Sequence, residues 1–134
     1  MTHELEESLP ASTPYERLGG EDRVRELTQR FYHLMDCEEA YQELRAVHGP
    51  ELSHAQERLF WFLSGWLGGP ALYQEQVGHP MLRARHLPFK IGILERNQWL
   101  LCMHQAMSEL GVEEDLKDQL AQSFFKTADW MRNS

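Results

Sequence analysis

His86 lies in GHPMLRARHLPFKI (residues 78–91), among Met81, Leu82, Leu87, Phe89 and Ile91, with Arg83, Arg85 and Lys90 close by in the chain. Residues 76–94 contain no Asp or Glu, in a chain that carries 21 acids. Such a local absence of acid predicts a site for an anionic ligand, and the apolar neighbours predict that most of that ligand is apolar. A single histidine ending a short helix can simply cap its carbonyls and favour the dipole. The arginine pair and the missing acids argue for more than a cap. A large apolar molecule with carboxylates beside one histidine fits heme. Its iron takes a neutral imidazole and its propionates take arginines.

Turn formers divide the elements that must position this stretch: Gly19-Gly20, Gly49-Pro50, Gly68-Gly69-Pro70, Gly78 with Pro80, Pro88, Gly92 and Gly111. The segments between them have helical periodicity. Val24, Leu27, Phe31 and Leu34 share a face in 21–35, and Leu59, Phe62, Leu63 and Trp66 share one in 53–67. Trp99, Met103, Ala106 and Leu110 do so in 93–110; Leu116, Leu120, Phe124, Ala128 and Met131 do so in 113–132. Ser53 and Gln56 have the spacing of a capping box. Pro88 lacks a backbone donor and biases Leu87 away from helical dihedrals. A helix through 81–86 is therefore short, with His86 at its end. The expected fold is all-α, with four main helices and shorter pieces between them.

A chain of 134 residues is expected to form one domain with a genuine core. Net charge is −8, which argues against nucleic acid and anionic membranes as partners. No apolar run approaches the roughly 18–20 residues of a membrane span. Residues 1–14 read as a polar, mobile leader without a signal-peptide core, ahead of a domain over 15–134, and a cytoplasmic location is expected. Cys37 and Cys102 fall in no close-spaced motif and are expected to be reduced, partly buried thiols.

The runs YERLGG (15–20), RFY (30–32), AQERLFWFLSGWLGGP (55–70), YQEQVGHPMLRARHLPFKI (73–91) and ERNQWLLCMHQAM (95–107) together resemble the group II truncated hemoglobins. Both the GHPxLRxRHxPF run and the later ERxxWLxCMxxA run are present, in that order. The resemblance implies a two-over-two helical sandwich around heme b, with His86 as the iron ligand. It brings His79, Arg83, Arg85 and Tyr73 toward the propionate edge, and leaves open which arginine makes the direct contact. Leu59, Phe62, Leu63, Met81, Phe89 and Met103 are then expected to enclose the porphyrin.

On the opposite face of the heme the resemblance implies Tyr32 and Trp99 as distal residues. The third distal position falls in AVHGPEL (46–52), at His48 or alternatively Val47. Ala55 stands where other globins often carry a distal histidine, and its methyl group cannot donate. Without the resemblance, Tyr32 and Trp99 would read as core aromatics, and Trp61, Trp66 and Trp130 still read as core or surface. His33, His54 and His104 read as peripheral.

Donors from Tyr32, Trp99 and His48 would hold dioxygen with charge-assisted bonds, each worth roughly 1.5–3 kcal/mol, and so slow its release. Nitric oxide, carbon monoxide and peroxide are the other expected ligands. The iron is expected to be five-coordinate, or six-coordinate when Tyr32 or His48 reaches it. The same residues would serve a nitric oxide dioxygenase or peroxidase-like enzyme, which needs a separate reductase because nothing here suggests a flavin or nicotinamide site. A monomer or weak homodimer is expected. The reading from a different class is a helical interaction module without heme, which a colourless preparation that refuses hemin would favour.

Overall fold

The computed structural model describes residues 12–78 and 91–132. His79, Met81, Arg83, Arg85, His86 and Phe89, with the short helix expected over 81–86, lie outside the described residues, as does most of the leader.

Seven α-helices are present among the described residues: α1 (Pro14–Leu18), α2 (Glu21–Cys37), α3 (Gln42–Val47), α4 (Ser53–Trp66), α5 (Leu72–Gln76), α6 (Ile93–Glu109) and α7 (Glu114–Met131), with a 3-10 turn at Glu39–Tyr41. There is no strand among them. The four long helices are the four expected from periodicity. Helix α2 packs on α4 and on α6, and α6 packs on α7, which gives two helix pairs facing each other. Between the pairs, Leu27, Phe31, Leu63, Met103, Met107 and Leu116 are almost completely excluded from solvent.

Local chemistry explains the boundaries. Thr13 accepts from the Glu16 amide at 3.1 Å, and the Glu16 carboxylate accepts from the Thr13 amide at 3.1 Å. With Pro14 in the first turn, this is a complete capping box for α1. The box expected at Ser53 is not formed. Leu52 occupies the cap position without a side-chain bond, and the Ser53 amide donates instead to the Glu51 carboxylate at 2.9 Å. The Ser53 amide, which the Gln56 side chain would accept from in a capping box, is thus taken by an acid two residues upstream. At the start of α6, Glu95 reaches back to the Gly92 amide at 2.8 Å.

Charged braces tie the layers together. Arg96 on α6 donates to Asp129 on α7 at 2.6 Å and lies over the Phe125 ring. Arg30 on α2 donates to Glu109 on α6 at 2.6 Å. Helix α1 docks on the turn after α4: the Tyr15 amide donates to the Leu67 carbonyl at 2.9 Å. The Tyr15 ring fits against Gly69 so closely that a Cβ there would stand 2.4 Å from it.

Candidate functional site

Phe31 and Tyr32 are consecutive on α2, and both are buried. Their rings meet edge to face at 5.1 Å, and the Trp99 ring of α6 lies 5.2 Å from Phe31 on another side. Phe31 thereby holds the two aromatic donors of one cluster in fixed relation. Beyond Trp99 the rings continue through Phe124 at 5.3 Å to Trp66, stacked on Phe124 at 4.6 Å.

His48 follows the last residue of α3, where the chain turns extended. Its ring stands edge-on to Tyr32 at 5.9 Å between centroids. Its Nδ1 is 3.1 Å from the Leu44 carbonyl. A carbonyl only accepts, so Nδ1 carries the proton in that bond, and a neutral imidazole then presents Nε2 as an acceptor. His48 donates from Nε2 only as an imidazolium. The sequence reading counted it as a third donor beside Tyr32 and Trp99 without that condition. Val47, the alternative, ends α3 half-buried.

Burial raises the Tyr32 phenol well above its ordinary range, with Cys102 adding a smaller effect in the same direction. Tyr32 is therefore a neutral O–H donor through neutral pH. Cys102 is buried against the Phe31 carbonyl at 3.3 Å, and burial pushes its thiol up to about 12. Both cysteines are free, but Cys37 is exposed and not partly buried as expected from the sequence.

The apolar residues expected around a porphyrin fall into two sets. Leu63 and Met103 are fully buried in the core. Leu59 and Phe62 on α4 are only half-buried, although Phe60 on the same helix is 2% exposed. Tyr73 is buried on α5, and Ala55 is half-buried near the start of α4. His33, His54 and His104 are exposed, as expected. Trp66 and Trp61 pack against the core, and Trp130 is exposed.

Gln98 is a functional candidate that the sequence motifs do not single out. It is 7% exposed, and both ends of its amide are bonded to α3: Leu44 N donates to its Oε1 at 2.9 Å, and its Nε2 donates to Glu43 at 2.7 Å. The signal was available. Gln98 falls four residues before Cys102 and eight before Ala106, on the buried arc of α6.

A model of the bacterial-like globin family matches residues 13–133. The group 2 truncated hemoglobin of Bacillus subtilis is 37% identical over 122 residues, which cover 91% of this chain and 89% of that protein. The chain belongs to the group II truncated hemoglobins. The solved structure of the group II 2-on-2 hemoglobin from Agrobacterium tumefaciens superposes with a TM-score of 0.89 at 41% identity, covering 94% of this chain and 98% of that one. A truncated haemoglobin from Bacillus subtilis superposes at 0.83 with 37% identity, covering 91% and 100%. The two-over-two sandwich expected from the sequence is thus the fold of this truncated hemoglobin.

Globins bind diatomic gases such as oxygen through heme. The described residues of this truncated hemoglobin fit that group. Leu59 and Phe62 leave an apolar face of α4 half-covered, while Tyr32 and Trp99 bring neutral donors into an aromatic cluster. Among the described residues no group of three or more His, Cys, Asp or Glu could hold a metal ion. No described helix is long and apolar enough to cross a membrane.

Proposed function

We propose that the chain captures dioxygen at heme b and releases it slowly, with Tyr32 and Trp99 as donors to the gas and His86 as the protein's ligand to the iron. The heme, when bound, supplies an iron with an open position for a diatomic ligand. The observation that carries the reading is the cluster of Tyr32 and Trp99 around Phe31. Tyr32 is buried and Trp99 is half-buried against the core, surroundings that strengthen a bond to a partly anionic ligand. The Bacillus subtilis relative is described as oxygen-avid, in keeping with that arrangement.

His79, Arg83, Arg85 and Tyr73 are the residues to hold the propionates. Leu59, Phe62, Leu63, Met81, Phe89 and Met103 form the apolar enclosure. Retentive binding suits scavenging of oxygen, nitric oxide or peroxide in the cytoplasm better than bulk transport, and a monomer or weak homodimer suffices. The Tyr32–His48 pair favours a second reading. A phenol beside an imidazole with an accepting nitrogen can pass a proton, which a nitric oxide dioxygenase or peroxidase-like enzyme supplied by a separate reductase would use.

The test is direct. Wild-type protein should show a Soret band and slow oxygen release by stopped flow. His86→Ala should lose heme or bind it weakly, with imidazole restoring the spectrum. An unchanged iron–histidine Raman band in His86→Ala would remove His86 from the role. Nitric oxide turnover with an added reductant separates the second reading from simple binding.

A further inference from the structure

Helix α3 is six residues long and has no side-chain cap of its own, since Tyr41 occupies its cap position. A helix this short leaves most of its first-turn amides without an internal partner. The Leu44 amide is satisfied from another helix by the buried carboxamide of Gln98, and the same side chain donates to Glu43 in the same turn. Leu44 is also the residue whose carbonyl holds Nδ1 of His48. The group that Gln98 grips and the group that orients the imidazole are therefore on the same residue, separated only by its Cα.

We propose that Gln98 is a positioning residue for the distal pocket: by capping α3 from α6 it fixes His48 against Tyr32 and so sets the rate of oxygen release without touching the ligand. This rests on the reading of His48 as a distal residue. The bond is specific to an amide. Leu44 offers a donor and Glu43 an acceptor, so the residue between them must accept at one end and donate at the other. The Glu43 carboxyl is held below the ordinary carboxylate range, chiefly by the Gln98 bond, which keeps the acceptor charged at neutral pH. Gln98 also adjoins Trp99 in the chain, so displacement of α3 is felt beside both distal partners of Phe31.

The measurements are oxygen release from the reduced, heme-loaded protein and exchange of the Leu44 amide followed by NMR in the heme-free and carbon monoxide forms. Gln98→Leu should speed oxygen release about threefold to tenfold, quicken Leu44 exchange and leave the Soret band in place. Gln98→Glu faces the Glu43 carboxylate and should behave similarly at neutral pH, recovering on acidification as the two carboxyls share a proton. Glu43→Gln combined with Gln98→Glu exchanges donor and acceptor, and should return both readouts toward wild type. Should Gln98→Leu not fold, Gln98→Glu and that double variant carry the same comparison. Faster Leu44 exchange with unchanged oxygen release overturns the proposal, as does a double variant that fails to recover either readout. His48→Ala separates the two layers: if it leaves oxygen release unchanged, His48 is not distal, whereas a Gln98 effect that persists in the His48→Ala background shows that Gln98 acts by another route.

Discussion

Trp99 has a single donor and no acceptor, so as a distal residue it would discriminate among ligands by charge. A Trp99→Phe variant keeps an aromatic ring, though a smaller one, next to Phe31 and Phe124 and removes the N–H donor. Loss of one charge-assisted bond should speed dioxygen release roughly ten- to a hundredfold, with carbon monoxide release changing less. Release within twofold of wild type would reduce Trp99 to packing. Tyr32→Phe should combine non-additively with it, because both donors serve one small ligand. Since burial raises the Tyr32 phenol, phenolate is disfavoured at neutral pH. Ferric spectra of wild type and Tyr32→Phe should therefore agree through neutral pH; a tyrosinate band in the wild type alone would show that the iron overcomes the burial cost. Among thiols, a disulfide-exchange reagent should label exposed Cys37 quickly and buried Cys102 only on unfolding.

At the scale of helices, the long elements were legible because their apolar residues repeat every three or four positions over about two to four turns. Trp99, Met103, Ala106 and Leu110 indicated one edge of the buried arc of α6. Its centre also takes in Gln98, Cys102 and Met107, and Gln98 was missed because a polar side chain breaks the pattern the eye follows. The Ser53 box failed because the motif does not register that Glu51 accepts from the Ser53 amide in place of Gln56. The Thr13–Glu16 box has the same spacing, and it straddles the boundary expected between the leader at 1–14 and the domain. His48 could be chosen over Val47 only by resemblance, since a loop residue has no period. A prediction follows for the docking of α1. Gly69→Ala should destabilise the protein by about 1–3 kcal/mol through overpacking on Tyr15. In a Tyr15→Ala background the same change should cost much less, and equal costs in the two backgrounds would show that the contact is immaterial.

Across the whole molecule, the acidic surface is tied to the helices by its arginines. Glu109 and Asp129 are both held below their ordinary ranges, first by hydrogen bonds from Arg30 and Arg96 respectively. Their depressed folded-state pKa values stabilise the fold fully above the unfolded values of 4.5 and 3.8, and this contribution fades as pH falls through the folded ones. The urea midpoint should thus drop between about pH 5 and pH 2, and less steeply in Glu109→Gln and Asp129→Asn. Equal slopes in wild type and both variants would exclude the two braces as the cause. The run of rings from Trp66 through Phe124 and Trp99 to Phe31 and Tyr32 has a separate consequence, an optical one. It places two of the four tryptophans in a packed array that reaches Phe31 and Tyr32, while Trp130 stays in solvent. A porphyrin seated beside that array drains its ultraviolet emission by energy transfer, so the unmodified protein carries a built-in gauge of its own heme occupancy, readable as fading fluorescence during a hemin titration.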